Sequence, residues 1–596
     1  MTLVPEGGRP VPVTVRGLSV RYPTRRTTAL DSIDFRILPG ERVLLAGPSG
    51  SGKSTLALAI AGLIPTSVPA EVRGAVLLDG ATTWDLPAGA AAELVGVVFQ
   101  DPTSQFTMPR VEDEVAFGLE NLGRPAGAMR AEVDAALEAV NLLDRRDWLI
   151  DRLSGGQRQR VALAATIAMD PGILVLDEPA AHLDPHSADE LYGWIHALCE
   201  RQERTVVAVE HSLDHVVAGF VSRCLVLDRQ GRVALDGPIA DVFGSELGAR
   251  RCAELGVWLP AAVRLALLLG PDGPLPLTVA DAASWIVAGH GRAERLRAAA
   301  RDAAPPPRSA RQVILEASGV TVRYRSPGHE RVAVRDANLA VRAGELVALV
   351  GPNGSGKSTL LRAMSGLVPQ ATGSVRIDGV EMGPDTLGPE RVGHVFQNPE
   401  AGFLADTVFG EVAHGPRAAG WPEDRITERV AHVLGRFGLE GLAAANPFTL
   451  SEGQKRRLSI AAAVIQRPNL LVLDEPTFGQ DAHAAAMLVE EIAAICRDGT
   501  AVVIATHDVD LVADVADRVV AMADGAILGE MPPADFFADD ALLAATAQVR
   551  PPLDRILAAV QALGAEVPSR LRWADLEPRL SENPGSARSR SLTLPG

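Results

Sequence analysis

The chain has 596 residues, of which 47% are hydrophobic and 22% charged, so it can bury the cores of several domains and is not expected to be disordered throughout. Its formal net charge of −17 argues against a general nucleic-acid coat, because contacts to phosphates need basic patches.

The four cysteines form no C-x-x-C pair, which excludes a zinc ribbon or iron–sulfur cluster of local spacing and suits a reducing cytosol. We expect no signal peptide, because the first residues lack a basic and then an apolar stretch, and no membrane span, because no apolar run reaches about 18 residues.

The predicted elements follow an α/β pattern from the N-terminal region onward. A short apolar run at 43–46 predicts a buried strand, which is followed by a Gly-rich loop and a helix over 56–61. Further along, 173–176 and 206–209 are predicted as buried strands. Apolar strands that alternate with helical stretches favour a mostly parallel sheet with flanking helices.

The second half of the chain repeats the first. Four blocks recur in the same order at offsets of 297 to 304 residues: 47–55 with 351–359, 98–102 with 395–399, 153–157 with 450–454, and 174–179 with 471–476. Blocks in one order at nearly constant spacing predict two homologous domains.

The repeats and the composition between them predict four segments. These are a first domain over 12–245, a helical and Pro-rich linker over 246–311, a second domain over 312–540, and a partly disordered C-terminal extension over 541–596. Within the linker, apolar residues at helical spacing predict a helix over 279–301. The Pro-rich stretch 302–309 is expected to be extended.

The repeated Gly-rich loop has the pattern G-x-x-x-x-G-K-[ST], which binds nucleotide phosphates. Its glycines let the backbone turn tightly, and its N–H groups point at the phosphates from the positive end of the following helix. The lysine would reach the β- and γ-phosphates, and the next serine would bind Mg²⁺ through its hydroxyl. The predicted phosphate-binding residues are Gly47, Pro48, Ser49, Gly50, Ser51, Gly52, Lys53, Ser54 and Thr55, with Gly351, Pro352, Asn353, Gly354, Ser355, Gly356, Lys357, Ser358 and Thr359.

Lysine is scarce in this chain. Only Lys53, Lys357 and Lys455 occur, while the remaining 54 of the 57 basic residues are arginine. Two of the three lysines stand in the phosphate-binding loops, as expected where a compact ammonium is needed and a planar guanidinium does not fit. This placement favours a working nucleotide site over a structural Gly-rich turn.

An Asp-Glu pair ends an apolar run in each half. Asp177 and Asp474 are predicted to hold Mg²⁺, directly or through a water. Glu178 and Glu475 follow at once, and a carboxylate beside a terminal phosphate can orient and polarise an attacking water. The pairs therefore predict hydrolysis of the bound nucleotide.

Both predicted domains resemble the nucleotide-binding domains of ATP-binding cassette (ABC) ATPases. Leu-Ser-Gly-Gly-Gln at 153–157 is the signature of that family, and ordinary P-loop ATPases lack it. The resemblance implies two tandem P-loop NTPase domains that bind and hydrolyse ATP with Mg²⁺. Each would have a mostly parallel sheet, flanking helices and a helical signature subdomain.

The resemblance also implies roles for single residues. The implied catalytic residues are Glu178, Glu475, His211 and His507, the histidines contacting the γ-phosphate. The implied ligands of Mg²⁺ are Ser54, Gln100, Asp177, Ser358, Gln397 and Asp474. Tyr22 and Tyr324 would stack on adenine.

In this family two domains pair head to tail, so the ATP on one phosphate loop is completed by the signature of the other domain. The resemblance implies such a pairing within this chain. The implied signature residues are Ser154, Gly155, Gly156, Gln157, Ser451, Gly453 and Gln454. The first ATP site would join Lys53, Gln100, Glu178 and His211 to Ser451 and Gly453. The second would join Lys357, Gln397, Glu475 and His507 to Ser154 and Gly156.

Two features depart from the family pattern. Glu452 stands where the second signature has its first glycine, and a carboxylate near a triphosphate repels it by roughly 1 kcal/mol where solvation is poor. We therefore expect the first ATP site to be the weaker one. The loops after the catalytic glutamates, 180–184 and 477–481, also differ from the Ser-x-Leu-Asp of the family.

A finer resemblance follows Gln100. The segments 99–121 and 396–415, and the segment 476–481, are similar to the ATPases of energy-coupling factor (ECF) transporters. That resemblance implies an importer ATPase, peripheral at the cytoplasmic face of the membrane. Its partners would be a transmembrane coupling subunit and a substrate-binding membrane subunit, with no nucleic acid. The cargo would be a vitamin, a vitamin precursor, or a metal ion such as nickel or cobalt.

Other interpretations stay open from the sequence. A soluble twin-ABC translation factor acting on ribosomes also lacks a membrane span, but it usually carries a long charged linker, whereas this linker has Ala-rich and Pro-rich parts. The ATPase of an ABC exporter with separate membrane subunits fits the same motifs. A DNA-repair or chromosome-associated ATPase is disfavoured, because neither a zinc module nor a long coiled-coil insertion is present.

Overall fold

A computed structural model describes residues 8–23, 27–87, 89–181, 183–202, 204–211, 213–217, 219–301, 312–326, 329–368, 371–382, 388 and 390–580. The chain divides into two compact units between Trp285 and Ile286. Each unit contains a four-stranded antiparallel sheet and a six-stranded, mostly parallel sheet. The α/β class expected from the sequence is confirmed.

The first unit contains the predicted strands 43–46, 173–176 and 206–209 as β3, β7 and β8, and the predicted helix 56–61 as α1. Its described strands are β1 (Val13–Arg21), β2 (Leu30–Ile37), β3 (Arg42–Ala46), β4 (Glu71–Leu78), β5 (Ala81–Thr82), β6 (Val95–Val98), β7 (Ile173–Asp177), β8 (Thr205–Val209), β9 (Arg223–Leu227) and β10 (Val233–Pro238). Its described helices are α1 (Lys53–Ile60), α2 (Ala90–Leu94), α3 (Val111–Asn121), α4 (Ala126–Ala139), α5 (Gly155–Ala168), α6 (Pro185–Gln202), α7 (Asp214–Val217), α8 (Ile239–Val242), α9 (Glu246–Leu255), α10 (Ala261–Leu269) and α11 (Val279–Ala288), which crosses the boundary between the units.

The larger sheet of the first unit has the order β10-β9-β3-β8-β7-β6, and its neighbouring strands are parallel except for β10 beside β9. Leu45 of β3 and Asp177 of β7 both pair with Val209 of β8. Leu176 of β7 pairs with Val98 of β6. Because these strands are parallel and in register, their carboxyl ends lie along one edge of the sheet. The loops that follow this edge carry most of the predicted site residues.

The second unit repeats this architecture. Its described strands are β11 (Val313–Ser326), β12 (His329–Arg342), β13 (Leu346–Val350), β14 (Ala371–Ile377), β15 (Val380–Glu381), β16 (Val392–Val395), β17 (Leu470–Asp474), β18 (Ala501–Ala505), β19 (Arg518–Ala523) and β20 (Ala526–Met531). Its described helices are α12 (Arg292–Arg301), α13 (Lys357–Met364), α14 (Val408–Ala418), α15 (Glu423–Arg436), α16 (Glu452–Val464), α17 (Ala482–Arg497), α18 (Val509–Val515), α19 (Pro533–Ala538), α20 (Asp540–Ala545), α21 (Pro552–Ala562) and α22 (Trp573–Leu580).

The register of the second parallel sheet matches that of the first. Its strand order is β16-β17-β18-β13-β19-β20, parallel except for β20 beside β19. Leu349 of β13 and Asp474 of β17 both pair with Ala505 of β18. The smaller antiparallel sheets have the orders β2-β1-β4-β5 and β12-β11-β14-β15.

Each parallel sheet is buried on both faces. Along β3, Leu44 and Ala46 belong to a hydrophobic cluster with helices α3 to α6, whereas Val43 and Leu45 belong to a second cluster with α1 and the antiparallel sheet. This division follows from the alternation of side chains along a strand. It explains why the strands have continuous apolar runs rather than an alternating pattern.

The helices after β10 contribute to the core of the first unit. Phe243, Cys252 and Val263 are fully buried in its main cluster. The helix predicted over 279–301 is interrupted, because α11 ends at Ala288, α12 begins at Arg292, and Gly291 between them has φ 76°. The Pro-rich stretch 302–309 and the tail 581–596 lie outside the described residues. The bounds of the four predicted segments stay predictions.

The segments after the two larger sheets repeat each other, which the sequence analysis missed. Ser245 caps α9 and Asp539 caps α20 at equivalent positions. Leu-Thr-Val-Ala-Asp at 277–281 corresponds to Leu-Arg-Trp-Ala-Asp at 571–575. We call residues 239–285 and 533–580 the C-terminal modules. Each half of the chain thus has its own module.

Each C-terminal module is bonded to the helix that follows the predicted histidine of its half. In the first unit the N–H of Ala261 donates to Asp214 Oδ1 on α7 at 2.9 Å. In the second unit Trp573 Nε1 donates to Asp510 Oδ1 on α18 at 3.3 Å.

Among the described residues, no helix combines the length and the apolar character needed to cross a membrane.

Truncation of Phe243 tests whether the first C-terminal module is part of the core. Phe243→Ala removes a fully buried ring, and the cavity costs about 3–5 kcal/mol. We expect the melting temperature in calorimetry to fall by roughly 10 °C. Leu38→Ala, at a side chain that is 53% exposed, should shift it by less than about 2 °C. Equal melting of the two variants would contradict the packing.

Candidate active site

The phosphate-binding loops have the backbone that the sequence pattern requires. Gly52 has φ 93° and Gly356 has φ 100°, both in the left-handed region. A Cβ at Gly52 would lie 2.4 Å from the carbonyl oxygen of Ala29, and one at Gly356 would lie 2.3 Å from that of Ala333. Any other residue would be strained and would clash at these positions. Helices α1 and α13 begin directly after these glycines, so their N-termini face the loop.

The loop lysines lie over their own loops. Lys53 Nζ donates to the carbonyl oxygens of Gly47 at 2.9 Å and Pro48 at 3.0 Å. Lys357 Nζ donates to Gly351 at 2.7 Å and to Pro352 at 3.1 Å. Neutral carbonyls orient an ammonium without cancelling its charge, so each lysine can still attract a phosphate.

The carboxyl edge of the first sheet brings together five predicted residues. Ser54 Oγ donates to Asp177 Oδ1 at 3.3 Å. Gln100 Nε2 donates to Glu178 Oε2 at 3.0 Å, and His211 Nε2 lies 3.0 Å from Glu178 Oε1. Ser54 lies in α1, which follows the loop after β3, and Asp177 is the last residue of β7. The other three follow the ends of β6, β7 and β8, so the sheet edge assembles all five.

The second unit brings together the corresponding groups with different contacts. The hydroxyl of Ser358 bonds to Asp474. His507 Nε2 lies 3.6 Å from Glu475 Oε1 and 3.1 Å from Asn353 Oδ1. Gln397 is held through its backbone, since its carbonyl accepts from Arg456 at 2.6 Å.

The predicted Mg²⁺ ligands fit a hard cation. A hydroxyl and a carboxylate oxygen, those of Ser54 and Asp177, face each other beside the phosphate loop, and Mg²⁺ prefers such oxygen ligands. Among the described residues, no group of three His, Cys, Asp or Glu side chains could hold a metal ion. The Mg²⁺ site of nucleotide enzymes usually has few protein carboxylates and completes its shell with phosphates and water.

Both predicted catalytic glutamates have a left-handed backbone, with φ 49° at Glu178 and 52° at Glu475. The Glu178 N–H donates to the carbonyl of Val209 at 3.0 Å, and the Glu475 N–H donates to that of Ala505 at 2.8 Å. Non-glycine residues in this region cost energy and persist where the surroundings fix them, which is common at active sites. The bond to the neighbouring strand fixes each glutamate at the sheet edge.

The predicted adenine-stacking tyrosines lie near the phosphate loops. Tyr22 Oη lies 3.1 Å from Thr55 Oγ1. Tyr324 is 39% exposed and pairs across the sheet with Arg331, which donates to the carbonyl of Gly354 at 3.4 Å. Stacking on adenine stays a prediction for both rings.

The signature residues begin helices α5 and α16 with a capping box. Ser154 Oγ accepts from the Gln157 N–H at 3.3 Å, and Gln157 Oε1 accepts from the Ser154 N–H at 3.0 Å. Ser451 and Gln454 form the same pair. The serine and the glutamine therefore have a structural role. Each serine accepts with its oxygen and retains a proton to donate to a phosphate.

The carboxylate of Glu452, which departs from the family pattern, has a cationic partner within its own unit. Lys455 Nζ lies 2.8 Å from Glu452 Oε1 and also forms an ion pair with Glu400. Lys455 is 8% exposed. The third lysine of the chain thus reduces the repulsion expected at the second signature.

Burial shifts the pKa of several site groups. It raises the pKa of Glu475 to about 7 and, with the nearby charge of Glu178, raises the pKa of Asp177 to about 6. Burial and the positive charge of Lys357 lower the pKa of His507 to about 3. His507 is therefore neutral at physiological pH and can donate one N–H. A carboxylate with a pKa near 7 suits a general base at that pH.

Sequence reasoning missed side chains that hold these loops. Arg456 donates to the carbonyl of Phe396 at 2.8 Å, where Gln159 does the same for Phe99 at 3.2 Å in the first unit. Glu114 Oε2 accepts two backbone N–H groups of the loop before α3, and Glu411 does so before α14. The available signal was a polar residue at the same place in both repeats.

A second signal was Glu210, which stands directly after the apolar run 206–209 and before His211. It is 5% exposed. A charged residue at the buried end of a strand needs partners to offset its desolvation. No role was predicted for Glu210 from the sequence.

The comparisons with known proteins cover most of the chain. The ABC transporter family matches residues 30–181 and 334–478. YkoD of Bacillus subtilis (strain 168), named as a proposed HMP/thiamine import ATP-binding protein, is 38% identical over 91% of this chain and 95% of its own. A proposed ABC transporter ATP-binding protein of Methanosarcina acetivorans is 34% identical over 95% of this chain and 93% of its own.

A solved structure also matches part of the chain. The cbiO1 protein from Clostridium perfringens, part of the ABC transporter complex cbiONQ, is 30% identical over 39% of this chain and 93% of its own, with a TM-score of 0.34.

The buried Glu475 carboxyl predicts a pH-dependent loss of stability. Its pKa is about 7 when folded, against an ordinary value of 4.5, so the folded chain disfavours the charged form. Ionisation of Glu475 therefore lowers the free energy of unfolding. This loss is absent well below pH 4.5, grows as the pH rises to 7, and is then complete at roughly 3 kcal/mol or less. We expect Glu475→Gln, without nucleotide, to raise the denaturant midpoint at pH 8 and to lose most of this gain at pH 5.

The matched control is Glu440→Gln, which makes the same change at an exposed side chain. It should leave the midpoint unchanged at both pH values. A gain for Glu475→Gln that is larger at pH 5 than at pH 8 would contradict the raised pKa.

Proposed function

We propose a transport-coupled role for this chain, which belongs to the ABC transporter family of ATP-binding proteins. It is an ATP hydrolase that uses ATP and Mg²⁺. The finer proposal is that it is the energy-coupling subunit of an ECF-type importer. Hydrolysis on this chain would drive uptake through separate membrane subunits.

The roles proposed for the site residues follow from their chemistry. Lys53 and Lys357, with the N–H groups of their loops, would bind the phosphates. Bound Mg²⁺ would neutralise phosphate charge, and Ser54 with Asp177, like Ser358 with Asp474, would hold it. Gln100 and Gln397 would complete these ligand sets.

The catalytic step is proposed to depend on Glu178 and Glu475. A carboxylate can accept a proton from the attacking water and orient it. The neutral imidazole of His507 can donate a hydrogen bond to the γ-phosphate, and His211 is proposed for the same role in the first half. The contacts of His211 with Glu178, at 3.0 Å, support joint positioning of the two groups.

We propose that the two halves work as a head-to-tail pair, as the family resemblance implies. The glycines at the start of α5 and α16 leave backbone N–H groups at a helix N-terminus, a ready anion-binding arrangement. The signature of one half would thereby complete the ATP site of the other. Loss of the γ-phosphate would weaken this contact and let the halves separate.

The observation that carries the import proposal is the full-length likeness to a protein named for HMP/thiamine import. The relative aligns with 91% of this chain, so the likeness extends over both halves. It supports import of a vitamin or a vitamin precursor of that chemical class. The two ECF-like segments after Gln100 and Gln397 support the same direction of transport.

Exposed apolar side chains near these segments support docking to membrane subunits. Leu404 is 72% and Phe448 51% exposed in the second unit, and Phe403 contacts Phe448 with ring centroids 5.7 Å apart. In the first unit Trp148 and Leu149 are 43% and 38% exposed. We propose that these surfaces bind the transmembrane coupling subunit and keep the chain at the cytoplasmic face of the membrane.

The ion pair of Lys455 with Glu452 gives a test of the first ATP site. Lys455→Ala would leave the Glu452 carboxylate without its cation near the triphosphate. The carboxylate would then repel the triphosphate by about 1 kcal/mol, which corresponds to a roughly fivefold lower rate of hydrolysis. We expect single-turnover ATP hydrolysis in a Glu475→Gln background to slow by that factor. Adding Glu452→Gly should restore the rate. If the variant with both Lys455→Ala and Glu452→Gly stayed as slow as Lys455→Ala, the lower rate would result from the lost contact with Glu400 instead.

A trapped complex tests the import proposal. Glu178→Gln with Glu475→Gln should bind ATP without cleaving it and keep the partners attached. We would tag this variant, solubilise cells gently and identify the proteins that copurify by mass spectrometry. We expect small polytopic membrane proteins, including a substrate-binding subunit. The matched control is Lys53→Ala with Lys357→Ala, which should recover fewer of them because it binds less ATP.

Two other outcomes would overturn the proposal that this chain is the ATPase of an importer. Ribosomal subunits without membrane proteins would favour a translation factor. Membrane proteins that export their substrate would favour an exporter ATPase.

A further inference from the structure

Glu210 is a buried carboxyl group on which donors from three elements converge. The hydroxyl of Tyr192, on α6, donates to Glu210 Oε1. The N–H of His211 lies 3.2 Å from Glu210 Oε2. The backbone N–H of Ala180, in the loop after β7, also bonds to this carboxyl. Glu210 is 5% and Tyr192 6% exposed, so water does not replace these contacts.

These contacts adjoin both proposed catalytic groups of the first half. Ala180 lies two residues after Glu178, and His211 is the next residue after Glu210. Glu178 is itself bonded through its N–H to Val209, the residue before Glu210. The carboxyl of Glu210 therefore joins the loop that carries Glu178 to the loop that carries His211.

The second half joins the same two loops with different side chains. Thr506 replaces Glu210, and its hydroxyl donates directly to Glu475 Oε2 at 3.2 Å. Thr477, at the position of Ala180, donates to Asp508 Oδ2 at 3.0 Å. Val489 stands where the first half has Tyr192. Both halves tie these loops together, which points to a requirement of the site rather than a chance contact.

The electrostatics of Glu210 reflect its burial. Burial raises the pKa of Glu210 to about 7, and the neighbouring charge of Glu178 adds to the shift. Burial also raises the pKa of Tyr192 well above its ordinary value, with Glu210 contributing. A phenol that stays protonated remains a donor to the carboxyl.

We propose that Glu210 is a positioning residue of the first ATP site. Together with Tyr192 it holds the loop after Glu178 and the loop of His211 at a fixed separation. This keeps His211 Nε2 within hydrogen-bond distance of Glu178 Oε1. The inference rests on the proposed roles of Glu178 and His211. It assigns the first site a carboxyl support where the second site has the hydroxyl groups of Thr506 and Thr477.

The test measures the first site alone, as single-turnover ATP hydrolysis by the full-length chain in a Glu475→Gln background. We expect Glu210→Gln to lower the rate about tenfold, because the NH₂ group of the glutamine would face hydrogen-bond donors instead of accepting from them. The ATP concentration that gives half of the maximal rate should change less than about twofold. Tyr192→Phe removes one hydroxyl and should lower the rate about threefold. Glu190→Gln, the same change at an exposed position of α6, should stay within twofold.

A second background separates positioning from general damage. In Glu178→Gln, where the second site hydrolyses, Glu210→Gln should slow the reaction much less than in Glu475→Gln. Equal losses in both backgrounds would overturn the proposal. The proposal would also be overturned if Tyr192→Phe and Glu210→Gln lowered the melting temperature but left the rate of hydrolysis unchanged.

The failure of the underlying roles would look different. If Glu178→Gln with Glu475→Gln still hydrolyses ATP at the parent rate, the proposed catalytic glutamates are wrong. If that double variant is inactive and Glu210→Gln has no effect in the Glu475→Gln background, the roles stand and the positioning proposal falls.

Discussion

The site of each half depends on one constraint, the parallel register of the central strands. Asp177 and Leu45 pair with the same residue, Val209, so the ends of three strands are level. A loop that leaves such an edge needs only a few residues to place its side chain beside those of its neighbours. The phosphate loop, the Asp-Glu pair and the histidine meet for this reason. Burial of the sheet on both faces then gives these groups a low-dielectric wall, which shifts their pKa values.

What the sequence predicted well was local. The phosphate loops and the Asp-Glu pairs are contiguous motifs, and each motif specifies its own backbone and chemistry within a few residues. The sequence also predicted the strands that precede them. The interruption of the predicted helix at 289–291 was readable in principle from Gly289 and Gly291, but apolar spacing on both sides concealed it.

The contacts that the sequence could not predict join distant residues. Tyr192 meets Glu210 across 18 positions, and Lys455 meets Glu400 across 55. No spacing rule connects such pairs, because their meeting depends on how helices pack on the sheet. The C-terminal modules escaped notice for another reason: the letters they share are small and apolar residues, which occur throughout the chain. They became visible as a repeat once equivalent caps and helix contacts were in place.

The distribution of amines has a practical consequence for chemical labelling. The chain has three ε-amino groups, and Lys53, Lys357 and Lys455 are 6%, 7% and 8% exposed. The positive charge of the folded surface is therefore carried by guanidinium groups, which do not react with activated esters. Amine-directed cross-linkers would find few targets on the native chain. A lysine introduced at a chosen surface position would then be modified with little competition from the chain's own lysines, so a fluorophore or a cross-linker could be attached there.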